Sequence, residues 1–269
     1  MTDWKAQLTA LLVVALLGGS ATAQDPAVQR LNESPRHHEW VGVKYGDRTV
    51  QTLVVFPEVK DNVPAVLIIH ENVGLTDWVR SVADRIAEAG YIAVAPDLLS
   101  GMGPDGGKTS DFPSTNAARD ALYKLPPDQV TADLRAVADR AAKLPGCSGK
   151  LAVGGFCWGG SQTFRFATNR PTLKAAYVFY GTAPTDPNEL KKIGCPVYGF
   201  YGGSDARVTS TTATTARQML EAGKTYEPIV YEGAGHAFMR SGEQAEPDNA
   251  NRKAHDAAWK RWLSLLKKL

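Results

Sequence analysis

The sequence contains few cysteines and no excess of either charge. Three cysteines in 269 residues are too few to build a disulfide-stabilised scaffold, and their odd number leaves at least one thiol without a partner in the chain. The 30 basic and 28 acidic residues give a formal net charge of +2, so nothing electrostatic favours nucleic-acid binding. Hydrophobic residues make up 43% of the chain, which excludes a disordered protein and supplies a sizeable core.

Long hydrophobic runs are also lacking, apart from one at residues 8–17, which is too short to cross a bilayer. Lys5 precedes this run, and small residues with an Ala-x-Ala pattern that ends at Ala23 follow it. A basic start, a short apolar core and such a pattern are typical of a secretory signal peptide. We therefore expect residues 1–23 to be cleaved near Ala23 and the mature chain, residues 24–269, to be periplasmic or secreted, with no attachment to the membrane.

The mature chain alternates between short apolar segments and segments of helical periodicity. Apolar runs predict strands at residues 38–45, 49–56, 65–70, 91–95, 150–155, 174–180, 196–201 and 227–231. Helical spacing predicts helices at residues 77–89, 115–125, 128–144, 157–168, 211–222 and 250–266. The first two strands form a predicted antiparallel hairpin. The later alternation predicts an α/β domain whose mostly parallel sheet is covered by helices on both faces.

One strand-to-helix junction carries a cysteine between small residues, in the sequence Gly-Phe-Cys157-Trp-Gly-Gly. This spacing is typical of a nucleophile elbow, in which a strained turn exposes the nucleophile at the carboxyl end of a strand. The positive end of the following helix would favour the thiolate. A buried structural cysteine beside a glycine-rich strand end is the alternative, and the motif alone leaves both open.

Two later loops carry the residue types that such a cysteine needs. Asp205 follows the strand at residues 196–201, and His236 follows the strand at residues 227–231, each within a glycine-rich sequence. The order nucleophile, acid, base is that of elbow enzymes, in which the acid orients the imidazole that moves the proton. The alternatives are a turn aspartate and a surface histidine. His70 ends another strand, and either a place near the site or a structural role suits it.

The loop after residue 70 is placed to complete the site. In elbow enzymes, this loop and the residue after the nucleophile each give a backbone N–H to the oxyanion, which here means Asn72 and Trp158. Glu71 lies in the same loop. Its carboxylate would repel a thiolate, and we expect it to keep Cys157 a neutral thiol until substrate binds.

Together these motifs resemble the dienelactone hydrolase family over residues 40–267. The shared features are His-Glu71-Asn-Val-Gly-Leu, Pro-Asp97-Leu, the cysteine elbow, Gly-Gly-Ser-Asp205 and Gly-His236-Ala-Phe-Met-Arg. The resemblance implies an α/β-hydrolase fold with a Cys-His-Asp triad that opens cyclic enol-lactones bearing a carboxylate, without a cofactor or metal. It also implies that Glu71 reorients when substrate arrives and that Arg240 binds the substrate carboxylate.

One feature departs from that family pattern. Members with the best-known activity have a second carboxylate-binding arginine just after Pro-Asp-Leu, whereas Leu99 and Ser100 follow here. Dienelactone is therefore a doubtful substrate, and export suits another ester or lactone. Arg207 would compensate if it faces the site; otherwise it is a surface ion-pair residue. We expect a monomer whose partner is a small-molecule ester or lactone.

Cys147 and Cys195 each precede a predicted strand, so both should lie at the sheet edge opposite the site. In an oxidising compartment they would pair if no strand separates theirs, because the two Cα atoms must approach within about 7 Å.

Two other functions stay open. A Glu–Cys elbow protein of the amidotransferase-like or DJ-1-like type would perform redox or glyoxalase chemistry, and the triad order of Asp205 and His236 argues against it. A non-catalytic exported binding protein would turn over no activated ester.

Overall fold

All eight strands of the described residues lie in one sheet. The computed structural model describes residues 25–269, so the predicted signal peptide and its cleavage site lie outside the described residues. The strands are β1 (His38–Tyr45), β2 (Arg48–Val55), β3 (Val63–Ile69), β4 (Ile92–Pro96), β5 (Cys147–Phe156), β6 (Ala175–Phe179), β7 (Val197–Gly202) and β8 (Tyr226–Tyr231). Their order is β1-β2-β4-β3-β5-β6-β7-β8. β2 pairs antiparallel with β1 and with β4, and the remaining pairs are parallel. This confirms the predicted α/β-hydrolase fold.

The helices follow the predicted alternation, with additions. They are α1 (Pro26–Glu33), α2 (Asp77–Glu88), α3 (Thr115–Leu122), α4 (Pro127–Ala141), α5 (Trp158–Asn169), α6 (Pro187–Leu190), α7 (Ala206–Thr209), α8 (Thr212–Glu221), α9 (Phe238–Ser241) and α10 (Asn249–Leu266). Two 3₁₀ turns, Pro104–Gly106 and Thr109–Asp111, lie between β4 and α3. The sequence patterns did not predict α1, α6, α7 or α9. Within residues 25–269 no helix combines the length and apolarity needed to cross a bilayer.

Two apolar layers cover the sheet. On one face α2 and α10 pack against it, with Trp262 of α10 fully buried against the aromatic rings of Phe156 and Phe179. On the other face α4, α5 and α8 contribute the buried side chains. Because both faces are covered, the central parallel strands are apolar along nearly their whole length. The core thereby fixes the carboxyl ends of β3, β5, β6, β7 and β8 at one edge of the sheet.

The segment before β1 is attached to α2 through a buried carboxylate. Asp84 accepts hydrogen bonds from Nε and one terminal nitrogen of Arg36 at 2.9 and 2.6 Å, and it also contacts Ser34 and His38. Burial alone would raise the pKa of Asp84, but these partners hold it below its usual value. α1 lies along α2. Arg30 pairs with Glu88 at the end of α2, and the first residues of α1 lie near Trp78 at the start of α2.

The possible disulfide between Cys147 and Cys195 does not form, and both residues are free thiols. β6 lies between β5, which begins at Cys147, and β7, which follows Cys195, so the two cysteines lie at the beginnings of strands that are two positions apart. At a strand spacing of about 4.8 Å this separation is roughly 10 Å, beyond the reach of a disulfide. Cys195 is buried, and burial raises the pKa of its thiol to about 12.

Candidate active site

Cys157 occupies a backbone conformation that few non-glycine residues adopt. Its φ of 57° and ψ of −118° place it at a sharp turn between β5 and α5, and its N–H donates to the carbonyl of Phe179 at 3.0 Å. The turn brings backbones very close, since a Cβ at Gly159 would lie 2.3 Å from the carbonyl oxygen of His70. Gly159, two residues after the cysteine, is therefore required, because a side chain there would collide with the backbone. The half-buried thiol lies at the start of α5.

His236 and Asp205 meet as the spacing predicts. Asp205 ends the loop after β7, is 7% exposed, and its Oδ2 lies 2.6 Å from Nδ1 of His236. That contact leaves Nε2 of the imidazole for another group. The interaction with the Cys157 thiol raises the pKa of His236, and Asp205 raises it further, while burial opposes both. The three residues thus form one coupled group at the carboxyl edge of the sheet.

Two backbone N–H groups are available beside the thiol. Trp158 is the first residue of α5, where a helix leaves its N–H groups without intrahelical partners. Its N–H and that of Asn72 donate to no atom of residues 25–269. The side chain of Asn72 lies instead 3.4 Å from the hydroxyl of Tyr123. The arrangement has the donors that an oxyanion would need, and their catalytic use stays a prediction.

Glu71 is paired with Arg240. The carboxylate of Glu71 is 4% exposed, and its Oε2 accepts a hydrogen bond from Nε of Arg240 at 2.8 Å. Burial raises the pKa of Glu71, although Arg240 and His236 act in the opposite direction. The side chain of Arg240 is 46% exposed, and its two terminal nitrogens donate to no residue in the described part of the chain. This guanidinium therefore keeps donors for a second carboxylate.

His70 joins three loops of the site. It is fully buried, its Nδ1 lies 2.7 Å from the carbonyl of Glu71, and its Nε2 lies 3.3 Å from the N–H of Leu98. Its ring also stacks on Trp158 at a centroid distance of 5.7 Å. Burial lowers the pKa of His70, which suits a neutral ring that donates through Nδ1 and accepts through Nε2. The structure thus places His70 as a positioning residue behind the site.

The Pro-Asp-Leu motif fixes a neighbouring loop. Asp97 accepts hydrogen bonds from the backbone and hydroxyl of Thr109, at 2.9 and 2.7 Å. The same hydroxyl lies 3.0 Å from the N–H of Leu75, in the loop that carries Glu71. Asp97 therefore holds the long loop after β4 against the loop after β3.

The sequence patterns did not identify Tyr180. This residue follows β6 with a φ of 41°, its ring packs edge-on against His236 at 5.0 Å, and its buried hydroxyl has no hydrogen-bond partner within residues 25–269. Burial raises the pKa of Tyr180, and Glu71 and Cys157 add to this. Its position in the sequence could have identified it. Tyr180 follows β6, which pairs with β5, the strand that leads to Cys157, and a site residue is expected at the end of such a strand.

Arg207 is not brought into this group. It lies on α7, is exposed, and forms no ion pair with the described residues, so its part in substrate binding stays a prediction. Within residues 25–269 no cluster of three or more His, Cys, Asp or Glu side chains is suited to hold a metal ion.

Comparison with known proteins identifies the family. Residues 50–269 match the model of the dienelactone hydrolase family. A Salmonella typhimurium protein named provisionally as a carboxymethylenebutenolidase is 35% identical over 193 residues, which cover 68% of this chain and 70% of the relative. An Escherichia coli K12 protein with the same provisional name is 36% identical over 185 residues, 65% of this chain and 67% of the relative.

Solved structures agree with these sequence matches. A crystal structure from Klebsiella pneumoniae, named provisionally as a dienelactone hydrolase, superposes with a TM-score of 0.76. The match covers 87% of this chain and 99% of that one at 26% identity.

Proposed function

Because the chain belongs to the dienelactone hydrolase family and is a hydrolase, we propose that it opens lactones or cleaves carboxylic esters through Cys157, His236 and Asp205. The observation that carries this proposal is the coupled group at the elbow. A strained, half-buried cysteine begins a helix, and the histidine whose pKa it raises is held by an aspartate at 2.6 Å. Nucleophile, base and orienting acid in this relation are the elements of covalent acyl transfer.

The proposed reaction has two halves. In the first, the Cys157 sulfur attacks the carbonyl carbon as a thiolate, and the N–H groups of Trp158 and Asn72 stabilise the resulting oxyanion. The C–O bond then breaks, the proton that the thiol gave to Glu71 passes to His236 and from it to the leaving oxygen, and a thioester remains on the sulfur. In the second half, His236 takes a proton from water, the hydroxide attacks the thioester, and the acid is released as the thiol forms again.

The substrate preference follows from Arg240. Its Nε is occupied by Glu71, while its terminal nitrogens are available in the exposed half of the side chain. A carboxylate on the substrate would bind there. We propose that this second negative charge weakens the hold of Arg240 on Glu71, which then reorients and accepts the thiol proton from Cys157.

The proposed site lies within one chain, so a monomer suffices for activity, and light scattering in solution tests this. We also propose export, supported by the pattern of residues 1–23. Cell fractionation and the mass of the purified protein test it, with a mature chain that starts at Gln24 as the expected result.

The test of the proposed chemistry is a turnover assay on three substrates: an aryl ester, a neutral lactone and dienelactone. Cys157→Ala should lower kcat/KM by at least about 10³-fold with an unchanged circular dichroism spectrum. Cys157→Ser should also be much weaker than the native enzyme, because the site is arranged for a thiol. An exposed control variant, Gln29→Ala, should match the native enzyme. Retained activity in Cys157→Ala would contradict the proposal, and peroxide sensitivity without any esterase activity would favour Glu–Cys redox chemistry.

A further inference from the structure

A small cavity lies beside Arg240 and is closed by a helix outside the segment that matches the family. The cavity has a volume of about 150 Å³. Trp78, at the start of α2, forms one wall, and Pro26 and Ala27 of α1 form another. Gln244, after α9, Arg240 itself and the carboxylates of Asp25 and Glu243 complete the lining. α1 precedes residue 50, where the family match begins.

Contacts at both ends of its segment hold α1 at this place. Ala27 is 7% exposed and packs in the same apolar layer as Trp78, and the side chain of Asp25 caps the helix by accepting from the N–H of Ala27 at 2.8 Å. The far end of the segment is held by the ion pair of Arg36 with Asp84 at 2.6 Å. α1 therefore forms a fixed wall of the cavity.

Arg240 connects this cavity to the proposed nucleophile. Its Nε donates to the carboxylate of Glu71, which is next to Asn72 in the loop that follows β3. Its free terminal nitrogens are the place for a substrate carboxylate under the proposed function. A group attached to the carbon next to that carboxylate would extend past the guanidinium toward Trp78 and Ala27.

We infer that this cavity is a specificity subsite that takes a short apolar branch on the carbon beside the substrate's free carboxylate. The indole, the proline ring and the methyl group of the lining suit an apolar branch, because the two carboxylates beside them already have partners: Asp25 accepts from the N–H of Ala27, and Glu243 accepts from Trp78 and Arg85. The volume of about 150 Å³ is sufficient for a branch of a few carbon atoms. The inference rests on the proposed function for the placement of the carboxylate, and it makes α1 a determinant of substrate choice.

The test measures binding and turnover separately. Calorimetry compares succinate with 2-propylsuccinate, and kinetics compare the corresponding 4-nitrophenyl half-esters, in which the propyl branch lies beside the free carboxylate. The native protein should bind 2-propylsuccinate about 10- to 50-fold more tightly than succinate, because three carbon groups leave water partly or fully. Ala27→Leu, which fills the cavity from α1, should remove this preference and leave succinate binding within about twofold.

Two further variants distinguish the effect of filling the cavity from general damage to the protein. Gln244→Phe fills the cavity from the opposite wall and should act like Ala27→Leu, whereas Gln29→Leu, on the exposed face of α1, should retain the native preference. Equal binding of both diacids by the native protein overturns the inference, as does a preference that survives both filling variants. If the native protein shows the binding preference but no turnover that depends on Cys157, the subsite stands and the proposed chemistry fails.

Discussion

Removing the guanidinium of Arg240 should destabilise the folded protein by way of Glu71. In Arg240→Gln, the carboxylate of Glu71 stays 4–5% exposed but loses its partner at 2.8 Å. Breaking a fully buried ion pair costs about 3–5 kcal/mol. Arg240 is 46% exposed, so water already screens the pair, and we expect a loss of about 1–2 kcal/mol. For a chain of this size that is a fall in Tm of roughly 2–8 °C.

The pH dependence of that loss has a defined sign. Burial already raises the pKa of Glu71 above its usual value, and Arg240 opposes this rise. Without Arg240 the folded-state pKa rises further, so the folded variant holds a proton that the unfolded chain releases. The variant should therefore resemble the native protein near pH 4.5 and lose stability relative to it as pH rises toward the new folded pKa.

Thermal unfolding followed by circular dichroism at several pH values tests this reasoning. The matched control is Glu71→Gln, in which the amide oxygen can still accept from Nε of Arg240, so its stability should change little. The double variant should recover most of the stability lost in Arg240→Gln, because it leaves no buried charge unpaired. A double variant less stable than Arg240→Gln, or a loss that is the same at pH 5 and pH 8, would refute the argument.

Two other residues give further predictions. Since the interaction with Cys157 raises the pKa of His236 above its usual value, the acid limb of kcat/KM should lie at a higher pH than the titration of a free imidazole. Asp205→Asn should move that limb to lower pH and reduce kcat, and an unmoved limb would exclude His236 as the base. His70→Phe keeps a ring to stack on Trp158 but loses both hydrogen bonds, so kcat should fall about tenfold with KM little changed. If His70→Phe lowers the Tm but leaves kcat and KM of the folded enzyme unchanged, His70 has only a structural role.

The sheet and the meeting of His236 with Asp205 could be predicted because both depend on chain order. Parallel strands covered on both faces have apolar sequences, and their carboxyl ends must lie at one edge, so residues just after successive strands converge. The motif at Cys157 then indicates which of these loops carries the nucleophile. Local spacing and topology contain this information without any knowledge of side-chain contacts.

The missed features depend on contacts between distant parts of the chain. α1 is a short helix that depends on tertiary contacts. Ala27 packs in the core, and the segment after α1 is held by hydrogen bonds to Asp84, about 48 residues later in the chain. Local periodicity does not show such contacts. Whether the other two cysteines pair could not be decided from the sequence for a related reason. The sequence placed Cys147 and Cys195 at the same edge, but it did not show that β6 separates their strands.

The hydrogen bonding of Arg240 bears on how a substrate could displace Glu71. A guanidinium has five N–H donors in a fork, and Glu71 uses Nε alone. A second carboxylate can bind end-on to the terminal nitrogens, so substrate and Glu71 need not compete for the same donors. Any reorientation of Glu71 must then come from charge, because two carboxylates on one cation repel each other in a partly buried site. That repulsion acts on the buried partner, whose pKa burial already raises, and it favours the movement of a proton from the thiol to Glu71.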